Sequence, residues 1–170
     1  MSNVPQTLSN FNLFVDGNSY LGIVKSIETP KLEVATEGVR MGGFDSELMI
    51  DLGLNALECT YTMLSYDKAL FETCLTLNSS ATRLAARGAL RRSGEPVTPV
   101  TITCQGAINM IDFGTWEGGT LSETQFTMNC EYYSLNVGGE DLIVIDILNA
   151  KRIINGKDVL AEMRTALGVA

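Results

Sequence analysis

Histidine is absent from the chain, which removes the commonest general base and the commonest transition-metal ligand together. Serine and cysteine nucleophiles therefore have no imidazole to activate them. A lysine could replace it, yet no Gly-x-Ser-x-Gly elbow occurs. The glycine-rich run Gly114 to Gly119 lacks the Gly-Lys-Ser/Thr ending and the strand-to-helix context of a phosphate loop, so it reads as a turn. Asp45, Glu47 and Asp51 do not have the ligand spacing or the loop glycine of a calcium-binding hand and read as solvated surface. No cofactor and no metal are expected, and the chain is not expected to be an enzyme.

Two further residue sets have chemistry worth weighing. Arg83, Arg87 and Arg91-Arg92 could grip phosphate, but in a chain of net charge -8 they more naturally meet carboxylates of a neighbouring subunit or stay hydrated. Cys59, Cys74, Cys104 and Cys130 are widely spaced with no Cys-x-x-Cys pair, which excludes a zinc knuckle or a dithiol redox motif. Reduced, buried thiols are the expectation, with bridging in an oxidising exterior the alternative.

The elements that must position these residues are mostly strands. Phe11 to Val15 and Ser19 to Val24 flank Asp16-Gly17-Asn18 as a hairpin, and Pro30 breaks the pattern. Leu32 to Ile50 forms a long, flexible-tipped hairpin interrupted at Gly38 and Gly42-Gly43. Leu57, Cys59, Tyr61 and Met63 alternate with polar residues at the period of a half-buried strand. Ser65 is placed to cap a helix from about Tyr66 to Thr76.

Farther on, Thr82 to Arg92 reads as an amphipathic strand. Val97 to Asp112 reads as a long one, bulged near Gly106, with Val100, Ile102, Cys104, Ile108 and Met110 on one face. Phe126, Met128, Cys130 and Tyr132 give the cleanest alternation in the chain. Gly138-Gly139 turns the chain into Asp141 to Leu148, and a short run at Ile153-Ile154 ends at Asn155-Gly156. A helix from Asp158 to Gly168 carries Val159, Leu160, Met163 and Leu167.

With 45% hydrophobic and 19% charged residues over 170 positions, the chain suits one domain, residues 1–170. The fold class expected is α+β: a mostly antiparallel β-sandwich or rolled barrel with two short helices. Net acidity argues against general nucleic-acid affinity. The start of the chain carries no basic, apolar leader, and no stretch is long and apolar enough to span a membrane, so synthesis in the cytoplasm is expected.

The segment from Phe11 to Met63 resembles the N-terminal part of the tail tube proteins of contractile-tailed bacteriophages and R-type pyocins. The resemblance rests on Asp16-Gly17, Glu28-Thr29-Pro30-Lys31-Leu32, Gly42-Gly43 and Asp51-Leu52-Gly53-Leu54. A second stretch adds Tyr132-Tyr133-Ser134-Leu135, Gly138-Gly139-Glu140, Val144 to Asn149, and Ile154 to Asp158 with a terminal helix ending at Leu167-Gly168. The middle third matches only in its pattern of strands and turns.

This resemblance implies a virion tail component whose copies form hexameric rings, stacked into a hollow tube that conducts DNA and penetrates the host envelope. Implied partners are further copies of the chain, the tail sheath, baseplate and tail terminator proteins, a tape measure protein and, transiently, DNA. It also implies that the hairpin residues Glu37, Gly38, Val39, Arg40, Met41, Gly42, Gly43, Phe44 and Asp45 contact other subunits. Glu58, Glu123 and Glu131, on wet strand faces, are candidates to line a negative lumen. A secretion-system tube protein or a small acidic binding module are the alternatives.

Overall fold

The computed structural model describes residues 4–76 and 82–169. The first hairpin joins β1 (Thr7–Val15) to the two-residue β2 (Asn18–Ser19) through Asp16 and Gly17, both at positive φ (47° and 87°). A left-handed pair is the turn whose twist matches two antiparallel strands, and aspartate followed by glycine tolerates it well. The same geometry recurs at Asn155-Gly156 between β11 (Lys151–Ile154) and β12 (Lys157–Asp158). The strand expected over Ser19 to Val24 is broken: Tyr20 to Ile23 form a turn, and β3 (Val24–Glu28) pairs elsewhere.

The larger sheet is organised on β9 (Thr124–Val137). Along one edge β9 pairs with β8 (Thr98–Asp112). Along the other, β6 (Leu57–Met63) takes its first half and β10 (Glu140–Asp146) its second. The path continues β8, β7 (Thr82–Arg91), β1, β2 on one side and β10, β11, β12 on the other, while β3 adds outside β6. Only Tyr20 to Ile23 separate β2 from β3, two strands at different margins of the sheet. That short link requires the sheet to roll up, in agreement with the expected α+β rolled sheet.

Its interior is apolar. Leu13, Leu57, Cys59, Tyr61, Leu84, Cys104, Ile108, Phe126 and Met128 are almost wholly buried in one cluster, and the inward row of β6 is the one its alternation predicts. Tyr61 stacks on Phe126 with ring centroids 5.2 Å apart. The four cysteines are buried and unbridged.

Two bulges correct the predicted faces. The register of β8 and β9 slips between Gln105 and Gly106, leaving Glu131 as the extra residue on β9. From there the parity of β9 reverses, so Tyr133 is buried and Tyr132 only half-buried, opposite to the expectation from simple alternation. A second slip at Asn109 turns Met110 outward, 48% exposed, where it was expected inside. Gly106 is required at the first bulge: a Cβ there would lie 1.9 Å from the Asn129 carbonyl oxygen.

Both helices are shorter than expected. α1 spans Lys68–Glu72 and is capped by Asp67, not Ser65: the Asp67 carboxylate accepts the Ala69 N–H at 3.1 Å. α2 spans Ala161–Ala166; Asp158 belongs to β12, and its carboxylate receives the Arg164 guanidinium and the Leu160 N–H instead of opening the helix. That charged contact holds the Asp158 carboxyl below its ordinary range.

Candidate functional site

The segment predicted as a long hairpin forms β4 (Val34–Val39) and β5 (Leu48–Leu54), a two-stranded sheet that, among the described residues, pairs with no strand of the larger one. Its return strand runs to Leu54, four residues beyond the expected end at Ile50. Glu37, Gly38 and Val39 lie in β4, while Arg40 to Asp45 form the tip, closed by a Phe44 N–H donating to the Met41 carbonyl at 3.2 Å.

Cross-strand pairing gives this hairpin two unlike faces. Gly38 opposes Met49 and Thr36 opposes Asp51, with Glu47 close above Gly38, so one face is acidic. Val39 opposes Leu48 and Glu37 opposes Ile50, so the other is largely apolar. Met41, Phe44, Leu48, Met49, Ile50 and Leu52 are between 41% and 61% exposed. A hairpin with apolar residues uncovered on this scale cannot be stabilised by its own two strands.

The three candidate lumen carboxylates are not gathered into one site. Glu58 stands on the open face of β6, opposite Asn129. Glu123 precedes Thr124, at the far end of the same strand pair, and its carboxylate is paired with Lys25. Glu131 sits in the β9 bulge, half-buried, with its carbonyl accepting the Ile147 N–H at 3.0 Å. On the same side of the strand pair as Glu58, the half-buried Thr60 and the buried Thr127 bring their hydroxyls together at 3.3 Å.

On β7, Arg83, Arg87 and Arg91 are exposed in one row, as predicted. Arg87 lies over the Phe14 ring at 5.1 Å. Cross-strand neighbours of this row include Gln105, Thr101 and Asn12, and among the described residues none of the three arginines enters an ion pair. Arg92, just past the end of β7, pairs with Glu95 at 3.3 Å.

Sequence reasoning passed over two features. Ser65-Tyr66-Asp67-Lys68 spells a Ser-x-x-Lys spacing, but the Lys68 side chain is 91% exposed and lies 3.8 Å from Glu72, not beside a serine in a dry pocket. Apolar side chains at α2 are also uncovered: Val159 ahead of the helix, Met163 within it and Leu167 at its C-cap are between 50% and 69% exposed. Their 3.6-residue pattern was visible; that no element among the described residues covers them was not. Among the described residues, no group of three or more Cys, Asp or Glu side chains is placed to hold a metal ion.

A family model described as phage tail tube protein FII matches residues 5–168. The chain belongs to this family. The tail tube protein of Escherichia phage P2 is 30% identical over 98% of this chain and 99% of its own length. The major tail tube protein of Serratia phage KSP20 is 27% identical over 98% of both. A solved sheath/tube terminator from an extracellular contractile injection system shares the fold, with a TM-score of 0.59 and 10% identity over 78% of this chain and 96% of that one. As a member of the phage tail tube family the chain is a structural component of the virion tail, and not an enzyme.

Proposed function

We propose that copies of this chain close into hexameric rings and that the rings stack into the hollow inner tube of a contractile tail, which conducts DNA and penetrates the host envelope. The observation that carries this reading is the uncovered β4–β5 hairpin in a chain of the tail tube family. Its apolar face needs a partner, and a ring of identical subunits supplies one to every copy at once. Glu37 to Asp45 are the contacting residues. Residues 1–170 act as one tube unit from which the hairpin projects.

Sheath, baseplate, terminator and tape measure proteins are the further partners, meeting the outside, the ends and the bore. Glu58, Glu123 and Glu131 face the lumen in this reading, where negative charge lets DNA pass without adhering. Negative-stain microscopy of concentrated purified protein tests the proposal: tubes of uniform bore are expected. Deleting Val39 to Ser46 should leave a cooperatively folding domain that no longer polymerises, and unchanged tubes from that variant would refute the role of the hairpin.

A further inference from the structure

We infer that the arginine row of β7 is the receptor for the acidic face of the β4–β5 hairpin from a second copy of this chain. The inference rests on the tube reading and adds to it a specific pair of surfaces. The chain is acidic overall, with 20 Asp and Glu against 12 Lys and Arg. Even so, Arg83, Arg87 and Arg91 stand exposed on one sheet face, paired with Gln105, Thr101, Asn12 and Thr7, and the carboxylate nearest the row is Asp16, just past the end of β1 opposite Arg83. Acidic residues are abundant elsewhere, so this face is an electropositive surface in a molecule whose copies are otherwise negative.

The hollow beside the row has a volume of about 640 Å³ and is bounded by Phe14, Asp16, Arg83, Ala85, Arg87 and Thr103. Phe14 supports the Arg87 guanidinium from below. The Asp16 carboxylate is occupied locally, accepting the Arg83 backbone N–H at 2.8 Å. The small Ala85 between the two arginines leaves the floor of the hollow open.

The hairpin presents the matching row. Glu47, Met49 and Asp51 share the acidic face, and Met49 is 57% exposed. Glu47 and Asp51 are four positions apart in extended chain, as are Arg83 and Arg87, and at about 3.3 Å per residue each pair spans about 13 Å. Acid, methionine, acid therefore meets arginine, alanine, arginine in register, with the large side chain over the small one. Asp51 Oδ1 accepts the Gly53 N–H at 2.7 Å, as Asp16 Oδ1 accepts that of Arg83, and within one chain neither Glu47 nor Asp51 pairs with these arginines; the pairing inferred is with a second copy. Charge placed this way selects partner and register.

Charge reversal tests the pairing. Arg83→Glu/Arg87→Glu should reduce pelletable tubes on the order of tenfold while the thermal melt of the monomer stays unchanged. Arg83→Gln/Arg87→Gln should give a smaller loss. Adding Glu47→Arg/Asp51→Arg to the Arg83→Glu/Arg87→Glu chain should restore tubes. Normal assembly of the reversed variant, or no restoration in the combined one, overturns the inference and leaves the tube reading standing. Normal assembly with loss of double-stranded DNA retention on filters assigns the row to phosphate and also overturns it. A wild-type chain that never polymerises refutes the tube reading and the docking with it.

Discussion

Tyr61 is wholly buried, and among the described residues its hydroxyl has no hydrogen-bond partner. An unsatisfied buried hydroxyl is unfavourable, while the ring contributes its stacking on Phe126. Tyr61→Phe is therefore expected to be neutral or to stabilise by up to about 1 kcal/mol in urea unfolding. Gly106 makes the opposite case. Its position against the Asn129 carbonyl admits no side chain, so Gly106→Ala should destabilise by about 3 kcal/mol or more, or abolish soluble expression.

Tyr20 is buried, and its hydroxyl donates to the Asp67 carboxylate at 2.9 Å. Burial and that carboxylate push its pKa up to about 12. A raised pKa favours the protonated folded state, so this stabilisation is complete below pH 10 and is lost as pH climbs from 10 through about 12. Melting temperature measured across that window should fall more steeply in the wild type than in Tyr20→Phe.

Among the elements, α1 shows how a short helix depends on its cap. Its five residues are too few for helix propensity to hold it, and Leu70 is the residue it buries. Asp67 caps it and also anchors Tyr20. Asp67→Ala should destabilise by about 1–2 kcal/mol in chemical unfolding, whereas Ser65→Ala should be near neutral. The sequence pattern pointed to a helix here but placed the cap two residues early. Serine and aspartate are equally good caps, and only the backbone's exit from β6 selects between them. In the same way, alternation identified β8 and β9 and Gly106 marked the first bulge, but the extra residue on β9 and the second slip at Asn109 were not legible, because an extra residue in one strand is a property of the pair.

At the scale of the whole molecule, uncovered apolar surface lies on the hairpin, at α2, on the loop bearing Trp116 and Leu121, which are 75% and 74% exposed, and at Leu148, 76% exposed. For an isolated subunit that is a liability. Purified monomer should therefore bind a hydrophobic dye such as ANS strongly, and the fluorescence should fall as tubes form. Persistently bright, polymerised protein would show that these surfaces remain uncovered in the assembly.

Much of this followed from residue order alone. The missing histidines, the alternating strands, the glycine turns and the Glu28-to-Leu32 and Asp51-to-Leu54 steps were enough to indicate a structural β protein of the tube family, because composition and period-two patterning are local properties. The spatial placement of residues distant in the chain was not legible. Glu58 and Glu123, taken together as candidate lumen charges, lie at opposite ends of one strand pair, and Arg164 turns inward to Asp158. Among the described residues the arginine row enters no ion pair, and the hairpin has one acidic and one apolar face. Each of these depends on cross-strand register, and register is set by bulges and by the packing of segments far apart in the chain.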